Sequence, residues 1–129
     1  MRAVDTNVIV RYLTGDDPAQ AVKARVIIGR EPVFVPRTVV LEVEWVLRGV
    51  CDLPSSQVIP ALRALAGLPG VSIEDALLVA TAMDRAEGGM DFADAPHLAA
   101  AAECEGFVTF DKRFARLAAR RASVAITVP

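Results

Sequence analysis

The sequence predicts one α/β domain of three layers, in which a mostly parallel central sheet is covered by helices on both faces. Short β-branched runs alternate with helical stretches along the chain, and this order is typical of parallel strands joined by helices. The chain has 129 residues, of which 53% are hydrophobic and 23% charged, so it can bury a sizeable core without disulfides or a structural metal. We therefore expect a single domain over residues 1–129.

The elements of the first half are predicted from capping residues and apolar patterns. Thr6 and Asn7 offer capping oxygens for the first helix, and Asp17 with Pro18 begins the second. The segment PVFVP, a β-branched and aromatic run between prolines, is typical of a buried parallel strand. In chain order the predicted elements are a strand at 2–4, helices at 7–13 and 19–28, a strand at 32–36, and helices at 37–48 and 56–66.

The second half continues the alternation of strands and helices. In the helix EDALLVATAMDRAE, Glu74 and Asp75 are expected to stabilise the positive N-terminal end. Gly106 is expected to end the next helix, and the basic stretch KRFARLAARR follows Asp111 as a helix. In chain order the predicted elements are a strand at 71–73, helices at 74–87 and 94–105, a strand at 107–110, a helix at 112–121 and a strand at 124–128.

Charge and cysteine content limit the class of protein. The net charge is −2, which argues against binding nucleic acid through bulk positive charge. Locally, however, five of the fourteen Lys and Arg residues lie within residues 112–121. No apolar run approaches the roughly 20 residues that span a bilayer, so we expect a cytoplasmic protein without membrane contact. Cys51 and Cys104 lack CxxC spacing and are expected to be buried free thiols.

Four acids from remote parts of the chain are predicted to meet at one edge of the sheet. Asp5 and Asp111 each follow a strand, and sites in open α/β sheets gather at the carboxyl ends of strands. Taken singly, each of these two acids could instead cap the helix that follows it. Asp94 begins the helix that precedes strand 107–110, so it returns beside Asp111, and Glu42 lies one to two turns into the helix that leaves strand 32–36. Such a cluster is costly unless a cation occupies it. Carboxylate ligands without a Cys or His set favour Mg²⁺ or Mn²⁺.

Four motifs that carry these acids resemble a known family. MRAVDTNVIVRYL, LEVEWVL, GMDFADAPHLAAA and TFDKRFARL together, in this order, are similar to the PIN domain, and specifically to the VapC type of toxin ribonuclease. The resemblance covers nearly the whole chain. It implies a PIN-like fold, a Mg²⁺- or Mn²⁺-dependent endoribonuclease acting on RNA, a homodimer, and inhibition by a VapB-like antitoxin.

The resemblance also assigns roles to residues. Asp5, Glu42, Asp94 and Asp111 correspond to the acidic metal-site and catalytic residues, and either Thr6 or Asn7 would position Asp5 or a water. Asp91 would contact and orient the metal ligands without binding the metal, act as an acid that stabilises the helix N-terminus, or serve as an auxiliary ligand. Apart from the resemblance, the basic cluster suggests that Lys112, Arg113 and Arg116 contact RNA phosphates beside the metal site. The alternatives are a solvated helix face or a helix C-terminus that favours cations.

Other functions stay open at this point. The same residues suit a PIN nuclease that is not a toxin, and a PIN-fold interaction module without activity is a further alternative, although all four acids remain. A phosphoacceptor receiver domain is disfavoured because a lone Asp5 ends the first strand and Lys112 follows an aspartate.

Several other side chains are expected to have structural roles. Glu44 is expected to be solvated and His97 to be packed or partly exposed. With 5% aromatic residues, we expect no platform on which single-stranded RNA bases stack. The helices at 17–28 and 54–66 are candidate partner surfaces.

Overall fold

The structure, a computed structural model, describes residues 1–129 and contains seven helices and five short strands. Internal contacts divide the chain into two compact units, Met1–Ala76 and Leu77–Pro129, and the single domain expected from the sequence stays a prediction. The elements are β1 (Arg2–Ala3), α1 (Thr6–Thr14), α2 (Pro18–Arg30), β2 (Val33–Val35), α3 (Arg37–Gly49), α4 (Ser55–Ala66), β3 (Val71–Ile73), α5 (Ala76–Glu87), α6 (Asp94–Ala100), β4 (Gly106–Val108), α7 (Lys112–Ala119) and β5 (Ala125–Thr127).

The first unit is built on a three-stranded parallel sheet in the order β1-β2-β3. Val33 of β2 pairs with Arg2 on one side and with Val71 on the other. Val33 and Val35 are fully buried and Phe34 between them is only partly buried, so the pleat of β2 directs alternate residues into the core. The prediction of a buried parallel strand between the two prolines is confirmed.

Helix α1 begins and ends at residues with specialised backbone roles. Its N-cap is Asp5, whose carboxylate accepts a hydrogen bond from the Thr6 amide, so the capping role expected of Thr6 or Asn7 was assigned one residue too late. Gly15 ends the helix with a φ of 67°, and its amide donates to the Arg11 carbonyl. This left-handed conformation favours glycine.

The second unit contains a two-stranded parallel sheet, in which Gly106 of β4 pairs with Ala125 of β5. Helix α7 packs on this sheet through Phe114, whose ring centroid lies 5.2 Å from that of Phe107 on β4. Leu98 of α6 is also buried. The α/β fold with short parallel strands predicted from the sequence is thus confirmed in the strand pairing of both units.

Helix α6 is shorter than predicted, since it ends at Ala100 and not at residue 105. Beyond the buried Leu98 no residue before β4 reaches the core, and residues 102–106 are all exposed. Helices in proteins are stabilised mainly by burying an apolar face, so alanine propensity alone does not extend this one. Cys104 lies in this exposed stretch, so the expectation that it is buried was wrong, although both cysteines are free thiols as predicted and Cys51 is partly buried.

The two acids expected at the start of α5, Glu74 and Asp75, also form ion pairs. The helix begins at Ala76, and Asp75 has a positive φ of 47°, outside the helical region. Arg37, at the start of α3, forms ion pairs with both Asp75 and Glu74, the latter with 3.6 Å between Nε and Oε1. The two carboxylates therefore join the β3–α5 turn to α3, and their expected stabilisation of the N-terminal end of α5 stays a prediction. None of the seven helices has the length and apolar character needed to cross a bilayer.

Candidate acidic site

In the first unit, Asp5 follows β1 at the carboxyl end of the sheet. Its Oδ1 accepts a hydrogen bond from the Thr6 amide at 2.7 Å, which fixes the carboxylate and leaves its second oxygen free. Thr6 is 3% exposed, so this donor is held by the core. Asn7 is exposed and lines a cavity of about 230 Å³ together with residues of α1 and α2. Of the two supporting residues predicted, Thr6 therefore contacts Asp5 directly.

Glu42 is the sixth residue of α3, which leaves the carboxyl end of β2. Because β1 and β2 are paired and parallel, Asp5 and the start of α3 lie at the same edge of the sheet. Glu42 is exposed and its carboxylate has no hydrogen bond or salt bridge. It is available to a cation or to solvent.

Glu44 is the buried acid of this helix, and the expectation that it is solvated was wrong. It is 5% exposed, and its Oε1 accepts a hydrogen bond from Nε of Arg48 at 2.8 Å. The sequence contained two signals for this pairing. Val40, Val43, Glu44 and Leu47 have the i, i+3, i+4, i+7 spacing of one helix face, and Arg48 follows Glu44 by four residues.

In the second unit, Asp94 lies near two other carboxylates. It is the first residue of α6 and is partly buried, and its carboxylate forms no hydrogen bond or salt bridge. Burial raises the pKa of Asp94, and the negative charges of Asp91 and Asp111 raise it further, while His97 opposes them. The charged form of Asp94 therefore lacks a positively charged partner. A cation ligand is in the same situation before its cation binds.

Asp91 and Asp111 each have one oxygen occupied by the backbone. Oδ1 of Asp91 accepts from the Ala93 amide at 2.8 Å and closes the turn before α6. Oδ1 of Asp111 caps α7 by accepting from the Phe114 amide at 2.9 Å. Since capping uses one oxygen only, it does not exclude a second role for the other. His97 is exposed, which agrees with one of the two placements expected for it, and its side chain has no hydrogen bond to Asp94.

The basic residues predicted to meet RNA lie on the exposed side of α7. Lys112, Arg113 and Arg116 are exposed, whereas Phe114 and Ala118 are buried. None of these three cations forms an ion pair in the structure. They are free to bind phosphates.

The donor chemistry fits a hard divalent cation better than zinc, because the candidate ligands are all carboxylate oxygens. No three His, Cys, Asp or Glu side chains of the chain are grouped so that they could hold a metal ion. In the first unit Asp5 and Glu42 flank one sheet edge, and in the second Asp91 and Asp111 lie close enough to Asp94 to perturb its pKa. The predicted convergence of all four acids stays a prediction.

The chain belongs to the PIN domain family, whose family model matches residues 2–120. This membership implies a nuclease-type function in general, and PIN nucleases typically use divalent metals. No curated protein matches the chain.

The raised pKa of Asp94 predicts a specific dependence of stability on pH. The folded protein binds this proton more tightly than the unfolded chain, whose carboxyl has the ordinary value of 3.8. Stability should therefore fall as pH rises from that value through the raised pKa. In metal-free buffer, Asp94→Asn should raise the unfolding midpoint near neutral pH and leave it unchanged well below the ordinary carboxyl pKa.

Asp16 provides the control of opposite sign for this measurement. The hydrogen bond from the Thr14 hydroxyl, followed by the charge of Arg11, lowers the pKa of Asp16, so its charged form stabilises the fold. Asp16→Asn should lower the midpoint near neutral pH, and that difference should vanish in acid. Urea unfolding at several pH values, across the range in which carboxyl groups titrate, measures the midpoints of both variants. Equal responses of the two variants would contradict the assignment for Asp94.

Proposed function

We propose that the protein is a Mg²⁺- or Mn²⁺-dependent endoribonuclease that hydrolyses RNA phosphodiester bonds, and that it is the toxin of a toxin-antitoxin pair. The observation that carries the proposal is the partly buried, unpartnered Asp94 beside Asp91 and Asp111 in a chain of the PIN family. An acid with this environment in a nuclease family is a candidate for a functional group. The chain has a single histidine, so a mechanism that needs two histidines has no support.

In this proposal the cation ligands are drawn from Asp5, Glu42, Asp94 and Asp111, the four acids that the resemblance to the family assigns to the metal site. When bound, Mg²⁺ or Mn²⁺ would make a water more acidic and stabilise negative charge on the phosphodiester. The protein's own contribution is to fix the ligands before binding. The Thr6 amide donates a hydrogen bond to Asp5 and the Phe114 amide donates one to Asp111, so each carboxylate presents one free oxygen in a fixed direction.

RNA binding is assigned to the exposed side of α7. Lys112, Arg113 and Arg116 carry unpaired charges close in sequence to Asp111, and cations in this position would position the phosphate backbone without selecting a base sequence. A local cluster of this kind compensates for the net charge of −2.

The toxin assignment includes a homodimer and a VapB-like antitoxin, both in the cytoplasm with the RNA substrate. Its support is the four motifs together with exposed apolar side chains. Val22 and Val26 are 58% and 43% exposed on α2, and Trp45 is 58% exposed on α3, whereas α4 exposes no large apolar residue. Of the two candidate partner helices, α2 is thus the better supported. A short neighbouring reading frame whose product inhibits cleavage would distinguish a toxin from another PIN nuclease.

Metal-dependent cleavage of RNA tests the proposal. Protein free of bound antitoxin is incubated with a pool of structured and single-stranded RNA in Mn²⁺ or Mg²⁺, and in parallel with chelator. We expect fragments only when metal is present. Cleavage that persists in chelator would contradict the metal site, and no cleavage with either metal would favour an inactive interaction module.

A further inference from the structure

Phe110 is exposed at the point where β4 leads into α7. Its side chain is 82% exposed, while the two other phenylalanines of this region contact each other, with Phe114 buried and Phe107 partly buried. A phenylalanine that stays exposed does not add to the free energy of folding the amount that its burial would contribute. The exposed ring is therefore available to a ligand or to a partner macromolecule.

The backbone on both sides of Phe110 is fixed. The Thr109 amide donates to the Thr127 carbonyl at 3.0 Å, and the Asp111 amide donates to Oγ1 of Thr109 at 3.0 Å. Asp111 in turn accepts from the Phe114 amide as the cap of α7. Since its neighbours are held by these three bonds, Phe110 presents its ring with little backbone freedom to lose on binding.

The charges that follow the ring favour a polyanion as its partner. Lys112, Arg113 and Arg116 are exposed and unpaired within six residues of Phe110, and Asp111 adjoins it. An apolar protein surface would gain nothing from three unpaired cations, whereas RNA supplies phosphates for them. Aromatic faces combined with unpaired cations are characteristic of surfaces that bind single-stranded nucleic acid.

We propose that Phe110 stacks on one base of single-stranded RNA and thereby positions the adjacent phosphodiester beside Asp111 and Asp94. This inference rests on the proposed nuclease function and names the feature of the substrate that this part of the chain selects, an unpaired base. The sequence did not reveal it, because aromatic content says nothing about which ring is exposed. This proposal departs from our expectation, drawn from the aromatic content, that the chain offers no stacking platform.

Binding of a fluorescent RNA tests the stacking. The full chain carrying Asp94→Asn, which leaves RNA intact, is titrated into a single-stranded oligonucleotide that contains 2-aminopurine, whose fluorescence is quenched by stacking. We expect Phe110→Ala to weaken binding by about 5- to 150-fold and to abolish the quenching, as for the loss of one stacked base. Phe110→Trp should retain both.

Two variants separate stacking from general apolarity. Phe110→Leu keeps an apolar side chain without an aromatic face and should behave like Phe110→Ala. Leu77→Ala removes a side chain that is 83% exposed in the same unit, and this variant should bind the RNA as tightly as the chain that keeps Leu77. Removing the stacked base from the RNA should eliminate the difference between Phe110 and Phe110→Ala.

The outcomes separate the two proposals. If Phe110→Ala binds and quenches normally, or only changes the oligomeric state, the stacking proposal is wrong even where the protein without substitutions cleaves RNA with Mn²⁺. If binding and quenching depend on Phe110 but no cleavage occurs with any metal, stacking is supported and the nuclease proposal fails. Absence of both binding and cleavage overturns both.

Discussion

Asp94→Asn is expected to reduce metal-dependent RNA cleavage by about 100-fold or more while leaving the protein folded, because a lost cation ligand removes several kcal/mol of charge stabilisation. The amide is close in size to the carboxylate, and the Asp94 carboxylate makes no hydrogen bond that the substitution would remove. Its carboxylate is instead destabilised by burial and by Asp91 and Asp111. The substitution should therefore reduce activity and increase metal-free stability together. Initial rates on a single RNA that the protein cuts, at saturating Mn²⁺, measure the first effect.

Two matched variants control this experiment. Asp91→Asn removes a charge from the same group, but its Oδ1 serves the turn before α6, so we expect a loss of about 10- to 100-fold, as for a residue that supports a ligand. Glu103→Gln removes one charge from an exposed turn of the same unit and should retain the full rate. Full activity of Asp94→Asn would overturn the assignment, and a greater loss in Asp91→Asn would exchange the roles of the two aspartates.

The parts of the fold that local sequence signals determine were predicted. PVFVP forms a buried parallel strand, and Asp17 with Pro18 begins α2, because proline geometry and capping act within a few residues. The ion pairs of Glu74 and Asp75 with Arg37 were not predicted, because Arg37 lies 37 and 38 residues away in the sequence. Local reasoning offered these two acids only dipole capping or catalysis.

For the candidate site, the structure bears on one predicted pair of acids, and the membership of the whole site stays a prediction. The return of α6 towards β4 indicated that Asp94 and Asp111 lie close together, and their charges do interact in the structure. The exposure of Phe110 and the burial of Glu44 could not be derived in the same way. Both depend on which side of an element the core lies. For Glu44, the three apolar positions Val40, Val43 and Leu47 predict burial only when a charged residue is allowed onto the buried face.

The buried Glu44 predicts an asymmetry in stability that tests the packing of α3. The Glu44 side chain is 6% exposed and that of Arg48 is 38% exposed. The Glu44 carboxylate therefore depends on Arg48 for a hydrogen bond in place of water, whereas the Arg48 guanidinium still reaches water. Arg48→Ala should lower the free energy of unfolding by about 1.5–3 kcal/mol, the range for a hydrogen bond to a charged group. Glu44→Leu should cost less, because it removes the buried charge while Arg48 still reaches water.

Arg2→Ala is the matched control for these variants, because the Arg2–Glu31 pair is exposed on both sides, at 66% and 45%. Exposed pairs contribute about 0–1 kcal/mol, so its unfolding midpoint in urea should barely change. Unchanged m-values across the set would show that the differences are in stability and not in the area exposed on unfolding. Equal, small effects of Arg48→Ala and Arg2→Ala would mean that solvent reaches Glu44. In that case α3 would bury only its apolar side chains.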